Sequence, residues 1–175
     1  MTKIQLEMKT LETPYNNVSR SDVDARLRQE QFQALESYQN EKVLYRCQTK
    51  LGLTKGQAEL LFNDTKRFLF LAANFKDRGP LSPSSAIDNG WHEFLMFTEE
   101  YQHFCNKYFG GFLHHRPFVP WIAEKPGGIY RTYCLAREVF GPDLSQNWML
   151  AETCADVVEA SNCSCGGSCG GGCNG

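Results

Sequence analysis

Apolar residues in this chain recur mainly at intervals of three and four, and alternation of period two is scarce, so the pattern predicts an all-α fold. Ser21 is placed to cap a first helix, with Asp22 and Asp24 in the turn where the helix dipole favours negative charge. That helix is expected to run from about Asp22 to Lys50 and to bury a stripe of Val23, Leu27, Leu35, Tyr38 and Tyr45. Gly52 breaks it. Thr54 caps a second helix reaching about Asn74, in which Leu61, Phe68, Leu69 and Ala72 recur at helical spacing. Apolar residues crowd so densely from Phe68 to Ala73 that this helix is expected at the centre. Gly79, Pro80 and Pro83 mark Lys76 to Ser85 as a loop.

Ser84 or Ser85 starts a third helix, which carries Asp88 and His92. Thr98 followed by Glu99 and Glu100 reads as a new N-cap with first-turn acids, which predicts a break or sharp bend near Thr98. A separate helix then runs to about Phe109, ended by Gly110-Gly111. Phe112 to Gly128 contains Pro117, Pro120 and Pro126 and is expected to wrap irregularly, pinned to the core by Phe118, Val119 and Trp121. Ile129 to Phe140 forms a further helix stopped by Gly141-Pro142. Asp143 is placed to cap one more, around Gln146 to Ala160.

These elements divide the chain into a loose N-terminal arm over 1–20, a compact multi-helix domain over 21–160 and a tail over 161–175. The tail is almost wholly Gly, Cys, Ser and Asn and buries too little apolar surface to offset the entropy of ordering, so disorder is expected there. With 175 residues and 42% apolar positions, the rest is long and apolar enough for one real core. A formal net charge of −2 argues against a broad grip on nucleic acid or anionic lipid. Met1 to Tyr15 lacks the apolar centre of a secretory signal, and no run approaches the roughly 18 apolar residues of a membrane span. A cytoplasmic protein is the expectation. In a reducing compartment Cys47, Cys105, Cys134 and Cys154 are read as reduced core residues.

Candidate chemistry centres on Asp88-Asn89-Gly90-Trp91-His92. Positions i and i+4 share one helix face, so Asp88 and His92 project side by side. They can share a metal ion, or the carboxylate can orient the imidazole, with Trp91 as an apolar wall. His114 and His115 follow. Were residues 86–109 one straight helix, His92 and Phe109 would stand roughly 26 Å apart, and six extended residues reach back only about 20 Å. By the same measure His103 would lie about 16 Å along the axis from His92, too far to share a metal. The bend near Thr98 is therefore part of the functional reading. Asp88, His92 and one of His114 or His115 make a set suited to zinc or non-haem iron, with positions left for water or substrate. His103 is a candidate acid, base or supporting group, and Arg116 a candidate pocket residue. The alternative is structural: Asp88 braces a helix end, His92 donates to a carboxylate or carbonyl, and the His114-His115 pair clamps a loop.

Lys66-Arg67-Phe68-Leu69-Phe70-Leu71, Ile87 to His92, Tyr101, Cys105 and Phe109-Gly110-Gly111-Phe112-Leu113-His114-His115-Arg116-Pro117 follow one another in order. This run, over roughly residues 50–120, resembles the bacterial branch of the glycine-rich domain-containing protein-like family, whose tails are also similar to 161–175. The resemblance implies a small helical domain and supplies no activity. In the longer plant relatives the pattern reads Trp-His-x-His, and here Phe94 stands where the second histidine would fall.

Cys163, Cys165, Cys169 and Cys173 place four thiols on a glycine chain. Thiolates bind zinc or copper(I) well, but the paired knuckles of a zinc ribbon are missing. The chain also lacks a phosphate-binding Gly-rich loop, a Gly-x-Ser-x-Gly elbow and a His-Glu-x-x-His motif, since Met96 stands where the last would need histidine. Phe68, Phe70, Phe94, Phe97 and Tyr101 are read as core. Two functions stay open: a helical domain whose buried Asp/His cluster binds a divalent metal, enzymatic or not, and a non-catalytic interaction module whose cluster is structural and whose Cys/Gly tail engages a protein partner or a metal.

Overall fold

The structure, a computed structural model, describes residues 20–117 and 127–149. The expected arm, the tail with Cys163, Cys165, Cys169 and Cys173, Cys154, and the pinning residues Phe118, Val119 and Trp121 lie outside the described residues. Within them the fold is all-α: α1 (Arg20–Glu36), α2 (Glu41–Leu51), α3 (Lys55–Asn74), α4 (Ser85–Leu95), α5 (Thr98–Phe109) and α6 (Gly128–Phe140), with 3-10 turns at Lys76–Arg78 and Gln146–Trp148.

The expected single helix from Asp22 to Lys50 is two helices. Asn40 adopts extended backbone, and its side-chain oxygen accepts from the N–H groups of Lys42 (3.1 Å) and Val43 (3.2 Å), which starts α2 afresh. The chain leaving α1 is held by Lys66 of α3, whose ammonium donates to the carbonyls of Glu36 (2.8 Å) and Tyr38 (2.7 Å). Breaking the helix resets its phase. Val23, Leu27 and Tyr45 of the expected stripe are exposed, while Leu35, Val43, Leu44 and Cys47 are buried. Tyr38 is half-buried against Phe104. Ser21 lies inside α1 rather than before it.

Helix α3 is the central element, packing on α1, α2, α4 and α6. Thr54 and Gln57 form a reciprocal capping box at its start. Phe68 to Leu71 are buried consecutively, as a helix surrounded on all sides requires. Helix α4 lies so close to it that a Cβ on Gly90 would stand 2.4 Å from Thr65 Oγ1 and 3.0 Å from Leu61 Cγ. Glycine is thus demanded inside the Asp88–His92 stretch by packing, not by conformation.

Ser84 caps α4, its hydroxyl accepting from the Ile87 N–H (3.2 Å). The break before α5 is present, but Thr98 does not cap it. Phe97 occupies the cap position with no side-chain bond, and Thr98 is the first helical residue, ahead of Glu99 and Glu100. Phe94 and Tyr101 still meet edge to face, at 5.1 Å between ring centres, across this break rather than along one helix face. Gly110, in left-handed conformation, ends α5, and Gly141 ends α6.

Asp143 does not cap the last element. Ser145 does, accepting from the Asn147 N–H at 3.0 Å, and extended backbone at Met149 closes the turn after Trp148. Asp64 of α3 anchors it from inside the core, accepting from Ser145 Oγ (2.6 Å), Asn147 Nδ2 (2.9 Å) and Trp148 Nε1 (2.9 Å). Among the described residues no helix is long and apolar enough to cross a membrane.

Candidate metal centre

Helix α4 presents Asp88 and His92 one turn apart, with Asp88 Oδ2 3.8 Å from His92 Nδ1. After α5 and the Gly110 turn, the irregular strap 111–117 returns to α4 and sets His115 Nε2 2.8 Å from Asp88 Oδ1. The rings of His92 and His115 lie 4.5 Å apart between centres. Asp88, His92 and His115 thus offer one ligand atom each, all within 4.8 Å of one another.

The floor of this group is Trp91, buried between α4 and the core, with its ring edge to face under His115 at 4.4 Å. The group is graded in exposure: 11% for the His115 side chain, 33% for Asp88 and 49% for His92. It therefore rests on an apolar wall and opens to solvent on the His92 side. An ionised carboxylate only accepts, so in the Asp88–His115 hydrogen bond Nε2 carries the proton. A cation between these atoms would need the Nε2 lone pair, which the neutral ring offers in its other tautomer, with the proton on Nδ1.

Other sequence candidates do not join the group. His114, next to His115 on the strap, is exposed and packs on Phe112 at 4.8 Å. His103 is exposed on α5, and Arg116 is exposed on the strap. Cys47 and Cys105 are buried thiols, and Cys134 is partly buried. Burial, reinforced by the neighbouring Glu93 carboxylate, pushes the Cys47 thiol up to about 11, so it carries no reactive thiolate near neutrality.

One participant escaped sequence reasoning. Tyr101 reads as a core aromatic, yet its hydroxyl accepts from Trp91 Nε1 (3.0 Å) and donates to the Leu113 carbonyl (2.6 Å), two residues before His115. Tyr38 and Tyr108 line the same aromatic core, so a phenol there gave no signal of its own.

A family model matches residues 26–138, from within α1 to near the end of α6. The chain belongs to the UCP032817-like family. No curated protein and no solved structure matches it. The matched segment holds Asp88, His92, His115, Trp91 and Tyr101, so the family segment and the candidate centre coincide, whereas the cysteine tail lies beyond it.

Proposed function

We propose that Asp88, His92 and His115 bind a divalent metal ion, zinc or iron, on the surface of a helical domain. The observation that carries this reading is the convergence of three ligand atoms from two segments within 4.8 Å. Two ligand atoms on a tetrahedral zinc, at about 2.1 Å each, stand roughly 3.4 Å apart. Asp88 Oδ1 stands 2.8 Å from His115 and Oδ2 3.8 Å from His92, and the three ligand atoms lie within 4.8 Å, separations on the scale of that spacing. Two imidazoles and one carboxylate leave coordination positions on the solvent side for water or substrate, as a hydrolytic zinc or an oxygen-using iron requires.

A place beside the bacterial glycine-rich domain-containing protein-like sequences belongs to the same proposal, supported by the ordered run from Lys66 to Pro117. Phe94 is compatible with the three-residue set: it is fully buried among Phe62, Tyr101 and Phe104, on the helix face opposite His92, where a histidine would not reach the group.

The second reading is favoured by the 2.8 Å Asp88–His115 bond, which by itself clasps the strap to α4. In that version the cluster is structural and the tail thiols take the metal or a partner. Elemental analysis of anaerobically purified protein separates the two. The metal reading predicts stoichiometric metal in the wild type and in a variant with Cys163, Cys165, Cys169 and Cys173 changed to Ser, and none in His92→Ala. Metal that disappears with the thiols favours the second reading, and metal absent from every form overturns both metal assignments.

A further inference from the structure

The third ligand of the proposed centre is delivered by a segment with no secondary structure, and something must hold it. The strap 111–117 follows a left-handed glycine and makes no backbone ladder with its neighbours. His115 nevertheless stands within hydrogen-bond distance of Asp88. Between the Gly110 turn and His115, the strap is tied to the core at Leu113, whose carbonyl accepts a 2.6 Å bond from Tyr101 and whose backbone also bonds the Cys105 thiol.

We propose that Tyr101 is a positioning residue for the metal group: its hydroxyl, oriented by Trp91, fixes the Leu113 carbonyl and so sets His115 against Asp88. For its functional meaning this rests on the metal reading above, although the positioning is measurable without a metal. A phenol has one proton to give. Trp91 Nε1 donates to the Tyr101 oxygen, so the proton is directed to Leu113. Only His114 then separates that fixed carbonyl from His115. Trp91 meets the same imidazole in a T-shaped contact, at 4.4 Å between ring centres, so one indole both orients the phenol and supports the ligand. The Tyr101 ring is held independently, edge to face with Phe94 (5.1 Å) and Phe112 (5.2 Å), and is fully buried. Burial, with the Cys105 thiol alongside, pushes its ionisation far upward, so the hydroxyl stays a donor throughout the accessible pH range.

Outer hydrogen bonds of this kind orient ligands and are worth roughly 10- to 100-fold in metal affinity when removed. Tyr101→Phe strips the hydroxyl and keeps the ring. In a titration with cobalt(II) as the probe, the variant is expected to bind roughly 10- to 100-fold more weakly than wild type. Leu135→Ala, a destabilising change on α6 away from the strap, controls for loss of stability and is expected to leave affinity within about twofold, as distant independent sites do. In the metal-free protein, proton NMR is expected to show cross-peaks between the His115 and Trp91 rings in wild type and their loss in Tyr101→Phe. Cobalt affinity and ring cross-peaks both unchanged in Tyr101→Phe overturn the proposal, as does an equal affinity loss in Leu135→Ala. If wild type binds no cobalt, the metal reading fails, and the cross-peaks alone then decide whether Tyr101 positions His115. Should Tyr101→Phe not fold, Trp91→Phe removes the orienting N–H while keeping a ring beneath His115, and an unchanged cobalt affinity there is equally fatal.

Discussion

Two aspartates gather partners from distant parts of the chain, and their surroundings set what each can do. Asp64, on α3, is 1% exposed and accepts three hydrogen bonds from Ser145, Asn147 and Trp148, all neutral donors that have no other protonation state near neutral pH. Asp88, on α4, is one-third exposed and faces two imidazoles, each able to release a proton and turn a lone pair toward a cation. The first cluster is saturated and can only hold structure. The second is part-exposed and open on one side, which suits an exchangeable ligand. Gathered partners do not by themselves mark a functional carboxylate; titratable partners and access do.

The largest test of that contrast is Asp64→Ala, which strands the buried Trp148 donor and the half-buried donors of Ser145 and Asn147. It is expected to cost about 4 kcal/mol in urea unfolding, while whatever folded protein remains keeps its metal affinity. Lys66 extends the contrast to a buried cation. Burial lowers its ammonium from 10.5 to about 8, a shift that Arg67 reinforces and Glu36 opposes. Between those values the unfolded chain holds a proton on Lys66 that the folded chain lacks, so this group alone makes stability rise with pH across the window. The raised Cys47 thiol and Tyr101 phenol act in the opposite sense above about pH 9. The contribution of Lys66 is therefore read as the difference between wild type and Lys66→Met in denaturant titrations at pH 7 to 11, and that difference is expected to move by up to about 3 kcal/mol in favour of wild type as pH rises. A difference that does not change with pH would show that the two carbonyls of Glu36 and Tyr38 offset the desolvation.

Gly90→Ala probes the scaffold under the open cluster. On an unhindered helix this change is favourable by up to about 1 kcal/mol. Here the new Cβ meets Thr65 and Leu61, and a loss of about 2 kcal/mol is expected, with weaker metal binding as α4 shifts outward. A net gain in stability would mean that α3 yields easily and that the close approach does not place the centre. The smallest effect on stability is expected at Asp88→Asn. It removes the charge but keeps an acceptor for His115, so metal-free stability should change by less than about 1 kcal/mol, while calorimetric zinc affinity falls sharply. A large stability loss there would move Asp88 into the same class as Asp64.

Much of this arrangement was legible in the sequence where the cause is local. Thr54 with Gln57, Ser84, Gly52, Gly110 and Gly141 mark boundaries through capping and left-handed backbone that neighbouring residues alone decide. The i, i+4 relation of Asp88 and His92 is equally local, and the need for a return near Thr98 followed from chain length. What failed was mostly tertiary. The break between α1 and α2 has a local sign in Asn40, an N-cap residue followed by Glu41, and a tertiary support in Lys66 reaching back from α3, and the misplaced stripe of Val23, Leu27 and Tyr45 followed from missing both. Thr98 has a capping residue's chemistry but sits one position inside α5, because Phe97 packs on the core at the cap position. The choice between His114 and His115 was open because the two are neighbours on an irregular strap whose orientation no local rule sets. The anchor that selects one of them, the Leu113 carbonyl, is a backbone atom with no signature in sequence.

The bond between Asp88 and His115 closes a span of 27 residues that includes all of α5. Seen as a cross-link, the group is a reversible counterpart of a disulfide. A cation that binds only the closed form would remove open conformations in which α5 and the strap swing away from α4, and would stabilise the fold in proportion to its free concentration. Resistance of the 96–117 segment to proteolysis would then follow the metal content of the surroundings, and the clasp would serve as a gauge of metal supply whether or not it catalyses anything.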